Sequence, residues 1–211
     1  DTATRDLNAP EHNGLNLTRV KVCAATGDVD TSLCRETAET WFIPGVSPIA
    51  STGVYRQILI DKATGLRACV EDQAKTERVV REFWPTDMLA LYRAAGIIKP
   101  SPPAYLPECE SGQDLGAGSF GIFAGGMAPE ILSPKEGVTY HRSVTHPEDT
   151  VVSLHASGDA DVTDFYWFSG SRFIGRSTPA EHLLWTPPGG TSTISVVDNF
   201  GRRNSVRIVV K

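Results

Sequence analysis

The chain has 211 residues, a net charge of -5 and 40% hydrophobic residues. That length suits one large domain or two small ones, and an acidic balance without any run of Lys and Arg gives no footprint for nucleic acid. No apolar run reaches the roughly 18 residues expected of a membrane-spanning helix, and a start at Asp1 rather than Met reads as a processed or excised piece, with a targeting segment or anchor upstream.

The four cysteines are Cys23, Cys34, Cys69 and Cys109. None forms a C-x-x-C pair, which argues against a zinc site or a thioredoxin-type motif. Two disulfides are the simpler reading and imply an oxidising compartment. Cys23–Cys34 closes a short loop through Thr26-Gly27-Asp28, and Cys69–Cys109 staples the strand before a helix to the segment after it. Four cysteines allow three pairings, so this choice is a hypothesis. The competing reading is four buried thiols in a cytosolic protein.

Residues 1–20 are polar and aperiodic and read as an extended lead-in. Val20–Ala24 suits a short strand. Thr40-Trp-Phe-Ile-Pro-Gly45 reads as a loop anchored by Trp41 and Phe42. Val54–Asp61 and Leu66–Val70, separated by Lys62-Ala-Thr-Gly65, read as a hairpin. Arg78–Phe83 alternates and reads as a strand. Thr86 is a good N-cap after Pro85. Met88, Leu89, Leu91, Tyr92 and Ala95 follow at helical spacing as core positions, and Gly96 stops the helix. The prolines from Pro100 to Pro107 then lead extended into Cys109.

Ser111–Gly126 holds six glycines and little charge. Glycine loses much backbone entropy on folding, so this stretch reads as a linker. Gly116-Ala-Gly118 lacks the G-K-[ST] of a phosphate loop. Three segments follow: a small α+β piece over 1–110, a Gly-rich linker over 111–127, and a terminal domain over 128–211.

The terminal domain is a succession of short strands and Gly turns, the pattern of an immunoglobulin-like β-sandwich. Ile131–Pro134 opens it as an edge strand. Val152, Leu154 and Ala156 share one face of the next strand. Phe165–Gly170 and Arg172–Gly175 form a hairpin, with Phe165 and Trp167 on one face and Tyr166 and Phe168 on the other. The last two strands pair around Asp198-Asn-Phe-Gly201, with Val206, Ile208 and Val210 inward. The fold class is therefore mainly β, a C-terminal immunoglobulin-like sandwich preceded by a small disulfide-stapled α+β segment with one clear helix.

Chemistry is harder to find. Asp159, Asp161 and Asp164 depart from the spacing of an EF-hand calcium loop and read as a solvated acidic turn. His141 and His146 have no Cys or acidic partner at a metal-ligand spacing and read as surface residues. Ser153 and His155 point the same way on a strand, but a nucleophile needs a base oriented by a third group, and none is apparent. Trp167 and Trp185 suit the sandwich core better than a sugar-stacking platform. No catalytic, cofactor-binding or metal residue is assigned.

Taken together, Tyr166-Trp167, Gly170, Ile174-Gly175, Trp185-Thr-Pro187, Gly190, Val196-Val-Asp198 and Gly201-Arg202 resemble the C-terminal domain of the penicillin-binding protein 1C family, the bifunctional class A peptidoglycan synthases. Ile131-Leu-Ser-Pro134 and Gly137 match the usual opening of that domain. Trp41-Phe-Ile-Pro-Gly45, Ser47-Pro48, Asp61, Thr64-Gly65, Phe83-Trp-Pro85, Ala95-Gly96-Ile97 and Pro102-Pro103 through Cys109 resemble the segment joining it to the transpeptidase domain. The resemblance covers most of the chain. It implies a periplasmic, non-catalytic fragment whose parent is anchored in the inner membrane, polymerises glycan and crosslinks stem peptides. The implied partners are a periplasmic cell-wall protein, the parent's own transpeptidase domain, or peptidoglycan glycan. Trp167, Trp185, Asp198 and Arg202 stand out as framework or interaction positions. A freestanding peptidoglycan-binding module with Trp167 or Trp185 stacking on sugar is the alternative. No Ser here has Lys at the third following position, no S-x-N occurs, and Lys62-Ala-Thr-Gly65 is not K-T-G, so the parts of a penicillin-reactive site are missing.

Overall fold

The structure, a computed structural model, describes residues 17–49, 51–110, 126–143 and 150–211. Most of the Gly-rich stretch, 111–125, lies outside the described residues, as do His146 and the lead-in through residue 16. The chain divides into two compact units, Asp1–Thr52 and Gly53–Lys211.

In the first unit, β1 (Thr18–Cys23) pairs antiparallel with β2 (Thr37–Phe42). The second strand occupies part of the stretch that the sequence suggested was a loop. Trp41 does not anchor it: the side chain is exposed and lies under the Arg19 guanidinium. A Trp reads as an anchor only where a second layer covers it, and among the described residues this two-stranded sheet has none on that face. Cys23 and Cys34 are bonded across the connection. Within that connection Asp28 is buried, and its carboxylate accepts hydrogen bonds from the Thr52 N–H at 2.8 Å and Thr52 Oγ1 at 2.7 Å.

The second unit begins with β3 (Tyr55–Asp61) paired antiparallel with β4 (Thr76–Glu82). The expected hairpin partner, Leu66–Val70, does fold back beside β3. The Asp61 N–H donates to Leu66 O, and the Ala68 N–H donates to Leu59 O. Yet only Arg67 makes a bridge there, to Ile60, before the chain leaves for Cys69. Cys69 is bonded to Cys109, and that tether and the bridge from Arg67 to Tyr105 take the segment away from a ladder.

Helix α1 (Thr86–Ala94) forms where the spacing indicates, and Gly96 follows it at φ +76°. Its apolar residues are not core, however. Met88, Leu89 and Tyr92 are half-buried, and Leu91 is exposed. The helix is held at its ends instead. Trp84 packs edge-on to Tyr92, and Lys99 lies over both rings while donating to Glu82. Thr86 makes no side-chain cap. The cap position is Pro85, and the Thr86 hydroxyl accepts from the Gly158 N–H at 3.0 Å. A short α2 (Pro107–Glu110) carries Cys109.

The sandwich has two sheets. One is ordered β10 (Leu183–Trp185), β7 (Val152–Ser157), β5 (Glu130–Ser133). The other is ordered β6 (Thr139–Tyr140), β12 (Arg203–Val210), β11 (Gly190–Asp198), β8 (Phe165–Ser169), β9 (Arg172–Ser177). The alternating inward residues of both faces meet as one core: Val152, Leu154 and Ala156 from one sheet, and Phe165, Trp167, Ile194, Val196, Ile208 and Val210 from the other. Period-2 alternation puts these side chains on one face, and burial of that face supplies most of the stabilisation. Trp167 is fully buried and donates its indole N–H to Ser177 Oγ at 2.9 Å, which satisfies its one polar atom.

Candidate functional site

The turn between β7 and β8 decides where the chemistry of the second unit lies. The Val162 N–H donates to Asp159 O, and a Cβ on Gly158 would come within 2.9 Å of the Val162 side chain. That tight turn buries Asp159, which is only 3% exposed. Its carboxylate accepts two hydrogen bonds from Arg56, at 2.8 and 2.6 Å, one from Arg202 Nη1 at 2.6 Å, and one from the Met127 N–H at 3.0 Å. Burial pushes the Asp159 carboxyl up. The Arg56 hydrogen bonds and charge, the Arg202 charge and the Met127 N–H outweigh it and hold the group below the usual carboxylate range.

The acidic cluster is therefore not a solvated turn. Asp161 accepts from Arg67 Nη1 at 2.8 Å, and Asp164 accepts from Arg176 Nε at 2.7 Å. The aspartates are paired with arginine side chains. Two of those arginines come from the first half of the unit. Arg56 also donates Nε to Gly53 O, and Arg67 donates Nε to Pro103 O. The Phe83 ring sits between them, 4.7 Å from the Arg56 guanidinium and 5.5 Å from that of Arg67. Arg67 also stacks on Tyr105, which meets Phe200 edge-on.

Asp198 and Arg202, both marked from the sequence, belong to this assembly. Asp198 Oδ1 accepts from the N–H groups of Phe200 and Arg202, and Oδ2 accepts from Arg202 Nε at 2.6 Å. The β11–β12 turn thus aims Arg202 at Asp159. Sequence reasoning missed Arg56, Arg67 and the binding role of Asp159 and Asp161. A signal existed for Arg56. It falls in phase with Ile58 and Ile60 on β3, and an arginine on an apolar face needs a carboxylate partner.

Above this bracket lies a cleft of about 500 Å³ whose lining includes Gln57, Leu59, Arg67, Val70, Arg78 and Tyr105. Phe83 and Gly126 also line it. Arg78 at the rim forms a bidentate pair with Glu71, at 2.9 and 2.7 Å, with both side chains about half exposed. Arg56 and Arg67 are engaged with carboxylates and backbone carbonyls, so they shape the cleft.

The sandwich tryptophans are placed otherwise. Trp167 has no exposed surface for a sugar, and Trp185 is half-buried against the core. Ser153 and His155 do share a face, and a third residue joins them. Ser153 Oγ lies 2.9 Å from His182 Nδ1, and the His155 and His182 rings stack at 4.1 Å. His155 Nε2 is engaged with Pro179 O. The stacked ring cannot orient His182 as a hydrogen-bonding group would, so the trio is no nucleophile with its base. His141 is exposed, and no group of three metal-ligating side chains occurs among the described residues.

Residues 123–208 match the Penicillin-Binding Protein C-terminus Family. That match supports a penicillin-binding protein C-terminal domain over this span, with the disulfides and the β-rich fold in keeping with it. No curated protein matches the chain significantly. Among solved structures, the fibronectin(III)-like modules of Clostridium thermocellum CbhA are similar at 22% identity and a TM-score of 0.33, covering 40% of this chain and 46% of that chain. The similarity thus spans less than half the length of the solved chain.

Proposed function

We propose that the chain is the non-catalytic C-terminal portion of a periplasmic peptidoglycan synthase of the penicillin-binding protein 1C type, acting as an interaction or positioning module. The parent carries the glycosyltransferase and transpeptidase activities, and the partner is the parent's transpeptidase domain or another periplasmic cell-wall protein. The observation that carries this reading is the family match over the sandwich. Two features support it. Both disulfides suit an oxidising compartment, and the sequence lacks the Ser-x-x-Lys, S-x-N and K-T-G set of a penicillin-reactive site.

The test is to incubate the 211-residue chain with a fluorescent β-lactam and the transpeptidase domain of a class A synthase. The expected result is label on the transpeptidase domain alone, with the chain co-migrating with it in its unlabelled form. Acylation of the chain itself, or no association at micromolar concentrations, overturns the reading.

A further inference from the structure

We infer that the outward face of the five-stranded sheet binds a carboxylate-bearing oligosaccharide, with a sugar ring against Phe173 and Phe168 and the carboxylate at Arg203. This goes beyond the interaction-module reading and does not depend on it.

Strand register builds the face. Phe165 and Trp167 point into the core, so Tyr166 and Phe168 point away from it. Phe168 pairs with Ser195 of β11, and Ser195 with Ser205 of β12. Tyr166 pairs with Val197, and Val197 with Arg203. On the other side, β9 carries a bulge. Trp167 pairs with Gly175, but Phe168 pairs with Phe173, so Ile174 is the extra residue. An unbroken register would set Phe168 opposite Ile174. Ile174 instead packs on the core, and Phe173 meets Phe168 edge-on at 5.5 Å. Bulges re-aim side chains. This one brings a phenyl ring that is 54% exposed to the side of the sheet turned away from the core.

The polar groups decide the ligand. Arg203 is exposed, donates Nη2 to Ser195 Oγ at 2.9 Å, and has no carboxylate partner among the described residues. That bond holds the guanidinium on the face and leaves its other N–H groups for a planar anion, the partner a guanidinium matches best. At the opposite margin Arg176 is fixed by Asp164, at 2.7 and 2.6 Å, and its guanidinium lies 6.0 Å from the Tyr166 ring. Between the margins stand the exposed hydroxyls of Thr193 and Ser205. From β9 to β12 the face measures about 14 Å at the usual strand spacing, room for a short oligosaccharide. The core of a protein interface is apolar and poor in serine. A ligand with hydroxyls around an apolar ring face uses both kinds of group present here. The phenyl ring takes the C–H face of a sugar, the hydroxyl and guanidinium groups take its oxygens, and Arg203 selects a sugar acid.

The test titrates the isotope-labelled 211-residue chain with a hyaluronan hexasaccharide, which carries a carboxylate on alternate sugars, and with chitohexaose, which carries none. Expected are millimolar or tighter binding of the acidic sugar, weaker binding of the neutral one, and amide shift changes centred on Phe168, Phe173, Arg203 and Ser205. Phe173→Ser, a change at an exposed side chain, lowers affinity for both sugars about fivefold, whereas Phe173→Tyr keeps the ring and the binding. Arg203→Gln weakens the acidic sugar about threefold and leaves chitohexaose unchanged. No binding at millimolar sugar, shift changes elsewhere, or unaltered affinity in Phe173→Ser overturns the inference. A blocked hexaglutamate peptide that binds the same residues as tightly as the acidic sugar also overturns it, because the face then reads charge alone and suits an acidic protein. If neither sugar binds while the chain co-migrates with a transpeptidase domain, the module reading stands and this inference falls. If the acidic sugar binds as described and co-migration fails, the sheet face stands and the proposed protein partner falls.

Discussion

The Asp159 carboxylate receives a two-pronged pair of hydrogen bonds from Arg56, a residue 103 positions earlier. A third arm reaches the same carboxylate from Arg202, across the sandwich turn. One buried anion thus joins β3, the β7–β8 turn and the β11–β12 turn. Removing it takes the carboxylate from the Arg56 guanidinium and leaves Arg202 with Asp198 alone of its two carboxylate partners. Losing one partner of a buried ion pair typically costs about 3–5 kcal/mol, because the other charge stays buried and unpaired. Asp159→Ala should therefore lower the stability of the second unit by that order in urea unfolding. Asp164→Ala, which unpairs the exposed Arg176, should change it by less than about 1 kcal/mol.

The same carboxylate sets an acid limit. A carboxyl held below its unfolded value adds stability above the unfolded pKa, near 3.9, and that stability is lost as pH falls through the folded value. The Asp159 contribution should be constant from neutral pH down to about pH 4 and decline below it. Thermal melts of the unaltered chain and of Asp159→Asn across that range check this. The acid-side fall should be shallower in the variant.

Gly126 sits against this cluster at φ +141°, and a Cβ there would overlap Arg202 Nη1 and the Asp159 carboxylate. Gly126→Ala should destabilise by about 1–3 kcal/mol through the forced shift of a buried pair. Gly137→Ala is the control. It also has a positive φ but meets nothing within 4 Å, so only the backbone term of about 1 kcal/mol applies. Parallel chemical denaturation separates the two.

The two disulfides should differ in weight. Cys69–Cys109 spans 40 residues and Cys23–Cys34 spans 11. In the loop-entropy account a bond of either kind contributes about 2–4 kcal/mol, the longer loop about 1 kcal/mol more. Replacing Cys69 and Cys109 by Ala should lower the second unit's midpoint clearly, and replacing Cys23 and Cys34 should leave that transition in place.

Much of the sandwich was legible because a half-buried strand writes its burial into a period of two. Val152, Leu154 and Ala156, and then Phe165 and Trp167, announce their inward face without any partner in view. The strand at Thr37–Phe42 and the pairing of β3 with β4 were not legible. A two-stranded sheet open to water has no apolar face to mark it, and the turn at Lys62–Gly65 pointed to the nearer partner. The helix was found but its burial was overread. Apolar spacing shows which residues share a face, not whether another layer arrives to cover it.

The sequence by itself determined the alternation that builds the sandwich core, the helix after Pro85, the supply of thiols and the lack of a penicillin-reactive motif. Those features depend on local periodicity, on turn chemistry or on the mere presence of residues. Only the tertiary structure decided that Asp159 and Asp161 are brackets for Arg56 and Arg67, and that His182 stacks on His155. An aspartate in a turn has the same local signature whether it faces water or a guanidinium. The difference lies in which distant charge folding brings within 3 Å, and that is a property of the packed chain.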